Sequence, residues 1–272
     1  MFMYSVKHQR ASSVAHVCEL LAAHPDARPL AGGQSLIAGM KLRLSAPSLL
    51  VDLGGLRELT TIQIDAQHVT LGAMVRHAQV AQSEAIRKVI PALASLAKGI
   101  GDPMVRNMGT VGGSVANNDP AADYPAAVVA LDAVVTTTTR EIAADDFFVG
   151  MFETALLPGE LITAVKFRIP KRAAYLKFKN PASRFAMVGV FVADFGSAVR
   201  VAVVGASAGV FRVAEMERAL GRRFHAASLD GIEVSSAELL SDLHSQAVYR
   251  AHLIAVLAKR AVQSLTESGS KP

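Results

Sequence analysis

The sequence predicts an α+β fold in two domains, and three observations carry that reading. First, two stretches pair glycines after apolar or β-branched residues: Ala31-Gly32-Gly33-Gln34-Ser35, and the run 109–123 around Gly112 and Gly113. Second, alternating segments such as 62–65 with 69–73, and 187–195 with 198–206, read as antiparallel strands between helical stretches. Third, the character changes near 170–175, where Pro170 closes a strand and a hairpin-rich part begins. The predicted division is 1–172, with subdomains of about 1–55 and 56–172, and then 173–272.

Composition narrows the function classes. The chain has 272 residues, long enough to bury a sizeable core. It is 51% hydrophobic and 19% charged, as folded chains are and disordered ones are not. No run of about 18 apolar residues occurs, so no membrane-spanning helix is expected. The start lacks a charged region followed by an apolar stretch, so a cytoplasmic protein is expected. Cys18 is the single cysteine, which excludes disulfide scaffolding, cysteine-held zinc and an iron–sulfur cluster on this chain. The formal charge of +5 is scattered, so no nucleic-acid surface is expected.

In order, residues 1–28 read as a short strand lead-in and then a helix. Ser12 and Ser13 stand at its start, Val14, Val17, Cys18 and Leu21 form a stripe, and Pro25 ends it. Cys18 reads as a buried small hydrophobe. Pro29, Leu30 and Ala31 form a strand running into Gly32 and Gly33, and 35–44 reads as a helix with Lys41 and Arg43 solvated. Strand, glycine turn and helix start is the arrangement in which amides meet a phosphate. Residues 49–53 are a strand closed by a structural turn at Gly54 and Gly55. Helices follow over 75–98, broken near Pro91, with His8, His68 and His77 as surface or capping residues.

The run 109–123 reads as a glycine-rich loop of small residues, with backbone amides open to a ligand. A helix over 124–131 and strands over 133–139 and 161–169 come next. Asp145 and Asp146 read as caps of a helix start. After the strand at Tyr175, residues 180–184 form a loop. Short helices are expected over 214–220 and 236–242, and a long one over 247–265. In that last helix Val248, Ala251, Leu253, Leu257 and Ala261 face inward and Tyr249, Arg250, His252, Lys259 and Arg260 face water. Residues 267–272 read as a loose end.

These motifs, taken together, resemble the FAD-binding medium subunit of the molybdenum hydroxylases, the group holding aerobic carbon monoxide dehydrogenase and the xanthine dehydrogenases. The resemblance runs almost end to end. It covers 31–41, Val51-Asp52-Leu53, 101–117 and 120–123, then 175–184, Tyr249 to Leu253, and Arg260-Ala261. It implies a two-subdomain FAD-binding domain of the vanillyl-alcohol oxidase / p-cresol methylhydroxylase type. A small α+β C-terminal domain, an antiparallel sheet with helices, would follow.

The resemblance also implies a ligand set. Leu30, Ala31, Gly32, Gly33, Gln34, Ser35 and Leu36 would wrap the FAD pyrophosphate, with amides 32–35 as donors. Thr110, Val111, Gly112, Gly113 and Ser114 would meet it from the other side. Asp123 would accept hydrogen bonds from a ribose or adenine-side group. Ile100 would line the adenine or ribose region, and Ile162 would back the adenine pocket. Ala116 and Asn117 would come near the flavin, with Lys177 or Lys179 approaching from the C-terminal domain. The chain departs from the family pattern at Gln34, where many members have His, and at Phe185, which lacks the hydroxyl of a common Tyr.

The function implied is electron transfer. A molybdenum-cofactor large subunit and a 2Fe-2S small subunit would be the partners, in a dimer of heterotrimers, with FAD here reducing an external acceptor. No catalytic side chain or metal is expected on this chain, since the cofactor carries the chemistry. A self-contained FAD-dependent oxidoreductase would need an added substrate domain, and the last hundred or so residues are plain for that. A binding module that has lost FAD would not need both glycine pairs.

Overall fold

The computed structural model describes residues 4–267. Three larger sheets, and one two-stranded hairpin, make up the strands of the described residues. The first is parallel: β1 (Lys7–Arg10), β2 (Arg28–Leu30) and β3 (Leu49–Asp52), in the order β1-β3-β2. Its crossover helix α1 (Val14–Ala23) starts where expected, the Ser13 side chain accepting from the His16 amide. Val17 is its buried anchor, while Cys18 is only half-buried. The next helix, α2 (Leu36–Lys41), stops three residues before the predicted end, because Arg43 turns left-handed at φ 62°.

The second sheet is antiparallel. It comprises β4 (Ile62–Ile64), β5 (His68–Gly72), β6 (Val134–Thr137), β7 (Glu141–Ala143) and, in its middle, β10 (Ile162–Arg168), in the order β4-β5-β10-β6-β7. The helices between β5 and β6 are α3 (His77–Gln82), α4 (Glu84–Val89), α5 (Pro91–Lys98), α6 (Pro103–Met108), α7 (Val111–Asn117) and α8 (Tyr124–Ala130). Pro91 begins α5, where its missing N–H costs nothing. The loop predicted over 109–123 is corrected: its centre is α7, capped by the Thr110 hydroxyl accepting from the Gly113 amide. After β7 come α9 (Ala144–Phe147) and a small hairpin of β8 (Phe148–Gly150) and β9 (Glu153–Thr154). Asp145 and Asp146 lie inside α9 and do not cap it. Asp145 instead pairs with Arg200 and Arg212.

The third sheet is antiparallel, ordered β11 (Arg172–Lys179), β12 (Ala186–Asp194), β13 (Val199–Val204), β14 (Phe211–Arg212). All nine residues of β12 are buried, because both faces are covered. Phe191 and Ala193 join the core of the second sheet and its helices, whereas Val188, Val190 and Val192 pack against α10 (Ala214–Arg222) and α11 (Ala247–Glu267). Burying a Val or Phe side chain contributes roughly 1.5–3 kcal/mol, so this sheet is a main source of cohesion.

Two expectations fail in this part. Residues 236–242 form a turn and extended chain, not a helix; the Leu240 amide donates to Ala206 O. In α11, Arg250 is buried and Val248 exposed, the reverse of the predicted faces. Of the predicted loose end, 268–272 lies outside the described residues, and so do 1–3 of the lead-in.

Candidate functional site

The first glycine stretch joins β2 to α2. Gly33 takes φ 69°, a left-handed conformation open to glycine at little cost. This bends the chain between β2 and α2. No group among the described residues accepts a hydrogen bond from the amides of Gly32, Gly33, Gln34 or Ser35. Gly32 and Gly33 are half-buried and Gln34 and Ser35 exposed. A run of unpaired amides around a left-handed residue is the backbone arrangement of an anion-binding nest.

The second stretch touches the first. A Cβ on Gly32 would stand 2.1 Å from the Met108 carbonyl oxygen and 2.8 Å from the Gly109 Cα. Only a glycine lets the two segments approach this closely. On Gly113, a Cβ would lie 3.7 Å from the Ala31 Cβ. The structure thus brings together Ala31, Gly32 and Gly113. It uses the second set of amides differently, however. Val111 N donates to Val75 O at 2.9 Å and Gly112 N to Ala73 O at 2.8 Å. Gly113 N is taken by Thr110 Oγ1 at 3.1 Å and Ser114 N by Thr110 O at 3.0 Å. The expectation of open amides here is therefore corrected: this segment braces the first one and has no free N–H among 111–114 to offer.

Asp123 sits behind the brace, buried, at the start of α8. Tyr175 Oη donates to its Oδ1 at 2.5 Å and Lys177 Nζ to its Oδ2 at 2.9 Å. Lys177 also donates to Gly99 O at 3.0 Å and is itself buried. Burial pushes the Asp123 carboxyl above its ordinary range, and the Lys177 charge and the Tyr175 hydroxyl draw it back. Burial and the Asp123 charge push the Tyr175 phenol well up. Both carboxylate oxygens are already engaged, so in this structure Asp123 locks β11 to the segment 99–123. The Lys177 ammonium is held in that lock.

The other predicted residues are dispersed. Ile162 is a core side chain of β10, and Val111 is fully buried in the same core. Ile100 is half-buried against that core, Asn117 is half-buried at the end of α7, and Ala116 is exposed. Leu30 and Leu36 are half-buried at either end of the nest, and Lys179 is exposed. Phe185 is 48% exposed on a second cavity of about 330 Å³ that also includes Phe152 and Arg250.

Three supporting residues escaped the sequence reading. Asn118, left-handed at φ 42°, donates its side-chain amide to Gly150 O at 2.7 Å and Glu153 O at 2.8 Å, clamping the β8–β9 hairpin. Arg250 donates to Met187 O at 2.7 Å and Gly205 O at 2.5 Å, and to Asp242 Oδ2 at 2.6 Å. His77, read as a surface residue, is buried beside Tyr124 with ring centroids 5.3 Å apart. Its amide donates to Gly109 O at 3.0 Å, so it fixes the entry to the brace. The signals existed: Asn suits left-handed positions, and an Arg within an apolar stripe marks a buried anchor.

A family model described as "FAD binding domain in molybdopterin dehydrogenase" matches residues 4–172. Among known proteins the chain is 35% identical over 289 residues to the nicotine 6-hydroxylase medium subunit of Paenarthrobacter nicotinovorans, covering 100% of both chains. It is 34% identical over 278 residues to the carbon monoxide dehydrogenase medium chain of Afipia carboxidovorans, covering 95% of this chain and 96% of that one. Among solved structures, reconstituted CO dehydrogenase from Oligotropha carboxidovorans has a chain with TM-score 0.88 and 32% identity, covering 97% of this chain and 98% of that one. The α+β fold described above is therefore that of a CO dehydrogenase chain. Along its whole length this chain belongs to the FAD-binding family of the molybdopterin dehydrogenases, as the medium subunit of an oxidoreductase of the molybdenum hydroxylase type.

Proposed function

We propose that this chain is the electron-transfer subunit of its complex, holding FAD on the nest at Gly32, Gly33, Gln34 and Ser35. FAD supplies the redox chemistry, accepting electrons and passing them on. The observation that carries the reading is the set of four unpaired amides in one left-handed turn. Such a nest suits a pyrophosphate, and the brace at 108–113 holds its shape. The residues present therefore fit the cofactor, with Leu30, Ala31 and Leu36 flanking the nest. Thr110, Gly112 and Gly113 act through the brace, and Asp123 and Lys177 through the lock behind it.

In this reading residues 1–172 form the FAD-binding domain, with subdomains of about 1–55 and 56–172, and 173–272 the C-terminal domain. The change of sheet between β10 and β11 favours that cut. Electrons would arrive from 2Fe-2S clusters on a small partner subunit and leave to an external acceptor. A large partner subunit would bind the molybdenum cofactor and the substrate, in a cytoplasmic dimer of heterotrimers. The single Cys18 favours this division of labour. No helix among the described residues is long and apolar enough to cross a membrane.

The test is a visible spectrum of the purified chain and of the material it captures. Flavin bands without iron–sulfur features on the chain alone, and iron–sulfur features on capture of a cysteine-rich partner, are the expected result. A colourless chain that takes up no FAD would overturn the reading.

A further inference from the structure

Arg250 is buried on α11, a helix whose other buried residues are all apolar. Burying a guanidinium costs desolvation, which its partners must offset. Those partners are two backbone carbonyls and one acid: Nη1 donates to Met187 O and Gly205 O, and Nη2 to Asp242 Oδ2. Met187 is the extra residue where the β11–β12 ladder slips, between the pairs Phe178 with Val188 and Lys179 with Ala186. Gly205 follows the last paired residue of β13. Both carbonyls therefore stand where strand pairing slips or stops. Their backbones touch, for a Cβ on Gly205, at φ 79°, would lie 2.4 Å from Ala186 O and 2.9 Å from Met187 O.

The same two chain ends hold the turn that leads to Asp123. Gly205 N donates to Pro120 O at 2.8 Å, and Ala186 N to Ala121 O at 3.4 Å. Within the turn, Asp119 Oδ1 accepts from Ala121 N at 2.8 Å and Asp119 O from Ala122 N at 2.9 Å. Asp123 comes next, with Tyr175 and Lys177 on its carboxylate. Gly205 gives its oxygen to Arg250 and its N–H to the turn, so one residue separates the helix from the turn. The cavity of about 330 Å³ is lined by Pro120, Ala121, Met187, Gly205 and Arg250. Packing is missing where it opens, which leaves hydrogen bonds to decide where the turn sits.

We propose that Arg250 is a positioning residue for the cofactor site. It sets the two chain ends, they set the turn 119–122, and the turn sets the Asp123 lock behind the FAD nest. The inference rests on the reading above that this lock supports bound FAD. The planar fork is what the task requires: one nitrogen with two N–H groups reaches both carbonyls while the other reaches Asp242, and a lysine cannot repeat that geometry.

The experiment measures FAD affinity by flavin fluorescence, the visible circular dichroism of bound flavin, and Tm, on the full chain. Arg250→Gln and Arg250→Lys are compared with Leu257→Ala, which truncates a buried residue of the same helix and removes no bond of the relay. Arg250→Gln should bind FAD about tenfold more weakly, the scale of a lost charge-assisted hydrogen bond. Arg250→Lys should recover part of that loss by restoring the charge. Leu257→Ala should lower Tm and leave FAD affinity within about twofold, as expected of a site outside the network. The dichroism should change in the Arg250 variants alone. Should Arg250→Gln not fold, Asp242→Asn, at a half-exposed side chain, frees the guanidinium and should weaken FAD in the same direction. FAD affinity unchanged in the Arg250 variants, or lowered as far by Leu257→Ala at equal loss of Tm, would overturn the proposal. A wild-type chain that binds no FAD is a different result, for it would remove the FAD reading and the proposal with it.

Discussion

Gly32 is where the two glycine segments meet, and its missing side chain is what the contact needs. Gly32→Ala would put a methyl 2.1 Å from a backbone oxygen that has no soft direction to move. The expected cost is about 1–3 kcal/mol of stability, together with weaker FAD binding, because the nest would be pushed off its brace. Denaturant unfolding and an FAD titration of the variant check this. His77 gives a pH prediction. Burial lowers its imidazole from 6.5 to about 4. The unfolded chain therefore binds more protons between those values, so stability is complete above about pH 6.5 and falls as pH drops towards 4. The loss attributable to this residue is up to about 3 kcal/mol. In His77→Gln, a plot of unfolding free energy against pH should lose that part of its slope; an unchanged slope would assign it elsewhere. At this scale the sequence was readable for residue type and unreadable for partner. Nothing around Asp123 shows that Tyr175 and Lys177 will close on it, since those contacts span 52 and 54 residues.

Elements were legible where one period ruled. The hairpin β4–β5, the strands β12 and β13 and the helix α11 follow from alternation or from a helical stripe. The helix α7 was hidden, because Gly112 and Gly113 each cost roughly 1 kcal/mol in a helix and read as loop. What makes it a helix is the local Thr110 cap together with the tertiary packing of Gly112 against Ala73. The helix expected over 236–242 is absent for the complementary reason. Leu240 is drawn to Ala206 and Asp242 to Arg250, so the local preference is overridden. The end of α7 carries a prediction. Asn118→Ala should lose about 2–3 kcal/mol, combining left-handed strain with two lost hydrogen bonds. Asn118→Gly should recover the strain part, roughly 1 kcal/mol, and still free the β8–β9 hairpin. Limited proteolysis across 148–154 distinguishes them: both variants should be cut faster than wild type, and equal resistance would contradict the clamp.

Across the whole molecule, the parallel sheet presents the nest, the second sheet and its helices brace it, and the third sheet locks the brace through Lys177 and Tyr175. The resemblance to the molybdenum hydroxylase medium subunits was readable from the glycine motifs in order. The unequal roles of the two motifs were not, because both show the same small residues and only backbone bonding separates them. In the function proposed above, FAD rests on the first set of amides and not on the second. Backbone amide NMR shifts of the chain on titration with FAD test it most directly. The largest changes should fall on Gly32, Gly33, Gln34 and Ser35, with Val111 and Gly112 moving little because their N–H groups already bond Val75 and Ala73. Shifts centred on 111–114, with 32–35 unmoved, would contradict it.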